Sequence, residues 1–204
     1  MTNKDSAQKI VRDPKVPSAD GLAKAASAVA KGHGPAPVHL WNPAFCGDLD
    51  IRIAKDGLWY YLGTPIGRAP LVKLFSNILK REGDAYFLVT PAEKVGIKVD
   101  DAPLFVVDFA REGAGRDQVL RLICKTEEEV TVDAEHAIRV VRDPVTGEPS
   151  PYLHVRSGLE ARIDRKTFYR LVELGTNELR DDVEWFGLWS AGCFFPFIPS
   201  AELS

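Results

Sequence analysis

The chain contains one stretch that indicates its fold, Asp48-Leu49-Asp50-Ile51-Arg52-Ile53-Ala54-Lys55-Asp56-Gly57. Polar and apolar side chains alternate from Asp48 to Ile53, a pattern typical of a strand with one buried face. The pair Asp56-Gly57 supplies the positive φ angles that a tight hairpin turn needs. The aromatic segment 58–62 forms the partner strand, so the stretch predicts a β-hairpin that belongs to a sheet with one buried face.

Further helices and strands follow on both sides of this hairpin. An apolar stripe at helical spacing predicts a helix over residues 71–79, and a second helix is predicted over Thr167–Leu174, closed by Gly175. Alternating or apolar segments bounded by turn residues predict antiparallel strands. These segments are 86–90, 93–99, 104–109, 119–125, 129–132, 136–142, 151–156, 159–163 and 187–196.

The hairpin motif recurs later in the chain. The segment from Ile51 to Asp56 aligns with the segment from Ile138 to Asp143, with identical or conservative residues at every position. A second match, in the same order, pairs the helix start at 66–68 with the helix start at 163–165. Two ordered matches predict an internal duplication of a strand–turn–strand–helix unit.

Each copy also carries its own helix-start chemistry. Asp164 is predicted as the N-cap of the second helix, because its carboxylate can accept from the free amides of the first turn. Ile163 and Phe168 then occupy the positions of a hydrophobic staple. In the first copy Gly67 takes the N-cap position.

These patterns predict an α+β fold of two tandem antiparallel-sheet domains that arose by duplication, each with one main helix. We expect residues 1–36 to form an N-terminal tail with a short helix between Ala19 and Lys31, which is either loosely packed or docked on the body through Leu22 and Val29. Residues 37–102 are predicted to form the first repeat domain and residues 103–204 the second.

The composition excludes several classes of partner. The 204 residues carry a net charge of −3 with scattered Lys and Arg, so we expect no binding to nucleic acid or to an anionic membrane. The three cysteines lack any zinc-binding spacing and favour a reducing compartment. The polar N-terminus has no signal-peptide core. We therefore expect a cytoplasmic protein without a metal site or cofactor.

The turn before the first helix is a candidate anion site. Free amides at a helix start, together with Gly67, can hold a phosphate or carboxylate, and Arg68 adds a positive charge. The structural alternative is that Arg68 forms an ion pair with Asp48 or Asp50.

Two other groups of polar residues have the types that chemistry requires. Asp48 and Asp50 share one strand face, where paired acids can transfer protons or bind Mg²⁺, although a solvated strand face or an ion pair with Arg52 is the favoured explanation. His154 is predicted to lie close to carboxylate side chains and could act as a base. Alternatively, it could have a structural role. Because GxSxG, GxGxxG and P-loop motifs are all absent from the sequence, no catalytic residue is predicted.

Several motifs in combination resemble an uncharacterised bacterial family, domain of unknown function 1285, over residues 38–197. They are Trp41-Asn42-Pro43, Cys46-Gly47-Asp48-Leu49-Asp50-Ile51-Arg52-Ile53, Thr64-Pro65-Ile66-Gly67-Arg68, Leu88-Val89-Thr90-Pro91-Ala92-Glu93-Lys94-Val95, Pro151-Tyr152-Leu153-His154-Val155-Arg156 and Leu188-Trp189-Ser190. The resemblance implies a duplicated two-domain α+β core whose second domain is pleckstrin-homology-like (PH-like). It further implies a nucleotide-like ligand between the domains and a role in signalling, without established catalytic residues.

We therefore expect a non-catalytic protein that binds a small anionic, nucleotide-like molecule in the inter-domain cleft and has a regulatory role. The residues predicted to form the cleft are Asp48, Asp50, Arg52, Gly67, Arg68, Glu93, Lys94, His154 and Arg156. One alternative is an enzyme that acts on a phosphorylated small molecule, with Asp48 or His154 as base. The other is a protein–protein adaptor that uses an exposed sheet edge.

Overall fold

The computed structural model describes residues 18–29 and 35–203. The helices in this part of the chain are α1 (Ala19–Val29), α2 (Ala69–Asn77) and α3 (Arg165–Val172). The strands of the first domain are β1 (Phe45–Ile53), β2 (Trp59–Tyr61), β3 (Thr64–Pro65), β4 (Leu79–Glu82), β5 (Ala85–Val89) and β6 (Lys94–Val99). Those of the second are β7 (Leu104–Glu112), β8 (Val119–Cys124), β9 (Glu129–Thr131), β10 (Ile138–Arg142), β11 (Pro149–Arg156), β12 (Leu159–Ile163), β13 (Thr176–Arg180), β14 (Val183–Ser190) and β15 (Cys193–Pro199).

Each domain contains a six-stranded sheet with the same strand order. The first sheet runs β3-β2-β1-β6-β5-β4 and the second runs β9-β8-β7-β12-β11-β10. Each sheet consists of two antiparallel meanders, joined at the centre by a parallel pair, β1 with β6 and β7 with β12. The predicted α+β class with two sheet-rich domains is confirmed, and the sheets are mixed rather than wholly antiparallel.

The two domains are equivalent to each other in the structure, but the equivalent strands are not the ones that the sequence matches pair. Ile51 lies in β1, a central strand, whereas Ile138 lies in β10, an edge strand. By strand order the equivalent of β1 is β7. The main helix also changes place, because α2 joins the two meanders whereas α3 follows the second one. Short half-buried strands show the same alternation of apolar and polar side chains at the centre and at the edge of a sheet. This similarity explains the misleading match between the two segments.

The helix starts follow local chemistry to different extents. The Asp164 carboxylate accepts from the Thr167 amide at 2.8 Å, which confirms the predicted N-cap of α3. At α2 the N-cap is Arg68, one residue later than predicted, and it makes no side-chain capping bond. Pro70 in the first turn suits this start, because its missing amide would lack a partner there in any case.

Helix α1 docks on the body of the protein. Leu22 is 1% exposed and Ala26 is fully buried, and the helix packs against α2. The predicted helix is confirmed, but Ala26 supplies the buried contact expected of Val29, which is half-buried. The rest of the predicted tail, residues 1–17 and 30–34, lies outside the described residues.

One hydrophobic cluster runs through both domains. It joins Trp59 and Phe75 of the first domain, whose rings stack at 6.4 Å, to Leu104, Leu153 and other buried residues of the second. The two domains therefore share a core instead of meeting as separate bodies.

A third sheet, β13-β14-β15, was predicted only in part, because β13 has a polar sequence. It packs on α3 through Phe168 and Phe197, whose ring centroids are 5.5 Å apart. Buried Ser190 connects the third sheet to the six-stranded sheet of the second domain. Its hydroxyl donates to the Val132 carbonyl at 2.7 Å and accepts from the Leu120 amide at 2.9 Å. A PH-like character of the second domain stays a prediction.

None of the helices in the described ranges, 18–29 and 35–203, is long and apolar enough to cross a membrane.

We expect Ser190→Ala to destabilise the protein, because it leaves a buried amide and a buried carbonyl without their hydrogen-bond partner. The loss in free energy of unfolding should be roughly 1–3 kcal/mol, measured by urea denaturation. Thr176→Ala, at an exposed position of the same sheet, is the control and should change the stability by no more than about 0.5 kcal/mol. Equal effects of the two substitutions would contradict the role given to Ser190.

Candidate functional site

Two consecutive aspartates fix the link between the domains. Asp100 accepts from the Arg52 guanidinium, with Nε at 2.9 Å, and so is held by the first domain. Asp101 accepts from the Tyr152 hydroxyl at 2.8 Å and from Arg162 Nη1 at 2.5 Å, and so is held by the second. The Arg52 hydrogen bond lowers the pKa of Asp100 below its usual range.

Two arginines add hydrogen bonds across the domain boundary. Arg156 of β11 donates to the carbonyl of Ser76 in the last turn of α2 at 2.8 Å, and it also pairs with Glu128. Arg81 of β4 donates to the carbonyl of Gly158 at 3.1 Å. A cation at the end of α2 also suits the helix dipole.

A cavity of about 380 Å³ lies between the two domains. The first domain contributes the β1–β2 turn and the start of α2, and the second contributes the start of β7 and the β8–β9 turn. The lining residues are Gly57, Leu58, Trp59, Ile66, Gly67, Ala69, Pro70, Val72, Lys73, Pro103, Leu104, Phe105, Lys125, Thr126 and Glu127. Cavities of this size between domains are a common location for small ligands.

The charged groups of the cavity come from α2 and the β8–β9 turn. Lys73 Nζ and a Glu127 carboxylate oxygen are 2.5 Å apart, which joins the two domains across the cavity. This hydrogen bond lowers the pKa of Glu127. Lys125 also lines the cavity, and it forms no ion pair with any residue of 18–29 or 35–203.

Thr126 is the most enclosed polar residue of the lining. Its side chain is 8% exposed, and its hydroxyl finds no hydrogen-bond partner within the described part of the chain. An unsatisfied buried hydroxyl costs about 1–3 kcal/mol.

The start of α2 forms one wall of the cavity. The amides of Leu71 and Val72 are already bonded to the Arg68 carbonyl, at 3.0 and 3.2 Å, and Pro70 has no amide. The predicted anion site therefore has fewer free donors than an ordinary helix start offers. Gly67 faces open space, since a Cβ there would meet no atom within 4 Å.

The two domains pack tightly against each other beside the cavity. A Cβ on Gly57 would lie 2.6 Å from Phe105 Cβ of the second domain. Gly57 also has a φ of +73°, as the predicted Asp56-Gly57 turn requires. Glycine is needed at position 57 because the backbone has a positive φ angle and because Phe105 leaves no room for a Cβ.

Thiol chemistry is disfavoured at the neighbouring cysteine. Cys124 ends β8 next to Lys125, and burial raises the pKa of its thiol to about 12. The thiol is therefore protonated at neutral pH and is a poor nucleophile.

Of the nine residues predicted to form the cleft, Gly67 lines this cavity, and Arg68 adjoins it as the N-cap of α2. Arg156 lies at the domain boundary but is committed to Glu128 and to the Ser76 carbonyl.

The predicted residues of the first sheet lie elsewhere. Asp48, Asp50 and Arg52 are exposed on β1, and the partner of Arg52 is Asp100 rather than either neighbouring aspartate. Lys94 pairs with Glu82 at 3.0 Å and lies over the Phe87 ring. Glu93 precedes it in the turn before β6.

His154 is engaged in the second domain. Its Nδ1 is 2.8 Å from the carbonyl of Glu135, and its ring stacks beside that of His136 at 6.3 Å. No group of three or more metal-ligating side chains occurs within residues 18–29 and 35–203.

Most of the polar lining was not predicted from the sequence. Lys73 is an exposed lysine on a predicted helix, and residues 125–127 belong to a charged turn of ordinary composition. The one signal was Trp59, an aromatic residue two positions after Gly57.

The comparisons with known proteins agree on one family. The model for the N-terminal domain of a domain of unknown function, DUF1285, matches residues 36–102, and the model for the DUF1285 C-terminal domain matches residues 103–197. No curated protein matches the chain.

Two solved structures are similar to the chain. A DUF1285 family protein from Silicibacter pomeroyi DSS-3 is 57% identical, with a TM-score of 0.81, over 91% of this chain and 99% of that one. A DUF1285 family protein from Shewanella baltica OS155 is 32% identical over 61% of this chain and 91% of that one, with a TM-score of 0.48.

The contact between Gly57 and Phe105 can be tested against a matched glycine. Gly63 has a φ of +75° and open space where a Cβ would lie. We expect Gly63→Ala to cost about 1–2 kcal/mol, from its backbone conformation alone. Gly57→Ala should cost roughly 1–3 kcal/mol more, because Phe105 must also move. Guanidinium denaturation of both variants measures the difference, and equal losses would show that the domains do not meet there.

Proposed function

The chain belongs to the DUF1285 family, and we propose that it is a non-catalytic protein that binds a small anionic molecule between its two domains. The bound molecule regulates the protein by contacting both domains at once. Nucleotide-like molecules are among the candidate ligands. In this proposal the protein acts in the cytoplasm as a component of a regulatory or signalling process.

The observation that carries the proposal is the shared cavity with its cations. Apolar walls from both domains line a cavity of about 380 Å³, and Lys73, Lys125 and Glu127 together leave one net positive charge at those walls. A mostly apolar cavity with a few convergent polar groups is the usual form of a small-molecule site. The positive charge favours an anion.

The polar side chains of the lining support binding rather than catalysis. They are those of Lys73, Lys125, Thr126 and Glu127, and the Glu127 carboxylate is already bound to Lys73. Asp48 and His154, the bases of the enzymatic alternative, do not line this cavity.

The position of the cavity between the domains supports the proposed regulatory role. A ligand in the cavity contacts the α2 start in one domain and the β8–β9 turn in the other. Binding therefore stabilises one relative placement of the domains, which is how a ligand shifts a conformational equilibrium.

Substitution of Gly67 tests the site directly. We expect Gly67→Phe to fill the cavity from the α2 wall and abolish ligand binding, whereas Gly67→Ala, the matched control, adds one methyl group in open space. The assay is thermal unfolding of each protein with a panel of nucleotides, phosphorylated metabolites and carboxylates. At a concentration about 100-fold above Kd a ligand adds about 2.7 kcal/mol, which raises Tm of a chain of this size by roughly 5–10 °C.

Chromatography of the ligand after incubation should recover it unchanged. Turnover would identify an enzyme instead. A Tm shift that is equal in Gly67→Phe and Gly67→Ala would place the ligand elsewhere, and no shift with any anion would refute the proposal.

A further inference from the structure

The cavity also restricts the chemistry of its ligand, provided that the proposed function is correct. Its walls are formed by aliphatic and aromatic side chains of both domains, such as Ile66, Val72, Leu104 and Phe105. These apolar side chains carry no hydrogen-bonding groups for the polar edges of a nucleobase or sugar, and the polar side chains of the lining are only those of Lys73, Lys125, Thr126 and Glu127. A ligand with many polar groups would have to leave them unpaired, at a cost for each buried group.

The charge of the lining matches a single negative charge. Lys73 is neutralised by Glu127, so Lys125 remains as the lining cation without an acidic partner in residues 18–29 and 35–203. One unpaired cation beside apolar walls compensates one anionic group.

The ion pair between Lys73 and Glu127 places a negative charge close to the proposed ligand carboxylate. The Glu127 side chain places a carboxylate 2.5 Å from Lys73 Nζ, with both residues in the lining. A ligand carboxylate at Lys125 would lie beside this pair and would be repelled by Glu127. The pair therefore limits the affinity for an anionic ligand while it holds the two domains together.

We infer that the cavity binds an apolar monocarboxylic acid, with the carboxylate at Lys125 and the apolar body between Ile66, Val72 and Phe105.

The test uses decanoate as the probe, with 1-decanol as its uncharged match and AMP as the nucleotide. Isothermal titration of the full-length protein should show binding of decanoate, with weaker binding of 1-decanol and none of AMP. Lys125→Met should weaken decanoate binding about tenfold and leave 1-decanol unchanged. Glu127→Gln should strengthen decanoate binding about threefold, because it removes the repelling charge.

The opposite signs of these two variants separate ligand contact from damage to the fold. Lys166→Met, an exposed lysine on α3 outside the lining, makes the same charge change as Lys125→Met and should leave decanoate binding unaltered. Equal binding of 1-decanol and decanoate would overturn the carboxylate inference.

Binding of AMP without decanoate would overturn the inference and leave the proposed function intact. If no anion binds to the wild-type protein, both the inference and the proposed function fail.

Discussion

The placement of the two domains depends on the adjacent carboxylates of Asp100 and Asp101, which are held from opposite sides. Arg52 holds the first, while Tyr152 and Arg162 hold the second. Because a single peptide unit separates the two anchor points, neither domain can rotate far without breaking a charge-assisted hydrogen bond. The close approach of Phe105 to Gly57, and hence the shape of the cavity, follows from this restraint.

Local chemistry made much of the fold predictable. The alternation in β1, the Asp56-Gly57 turn and the Asp164 cap each depend on neighbouring residues, and each was predicted correctly. The parallel pairs β1–β6 and β7–β12 join strands that are distant in sequence, and side-chain alternation carries no information about such partners. The misplaced register of the duplication has the same origin. Sheet β13–β15 was incompletely predicted because β13 is held by backbone pairing with β14 and has few apolar side chains.

The site was less predictable than the fold for a related reason. Gly67 was identified because glycine before a helix has a local meaning, whereas Lys73 and Lys125 become neighbours of one cavity only when the domains pack together. Arg52 illustrates the same limit: Asp48 and Asp50 are close in sequence, yet Asp100 is the partner, since β6 runs parallel to β1 and ends beside it. Charged residues in a sequence indicate an ion pair but do not identify its partner.

The hydrophobic cluster that crosses the domain boundary has a consequence for how the protein loses its structure. Small proteins with one core melt in a single transition, whereas chains of separate domains often show several. Here Trp59 and Phe75 bury surface in the same cluster as Leu104 and Leu153. Melting either half would expose apolar area on the other, so we expect the two domains to unfold in one cooperative transition even though the family is described by two halves.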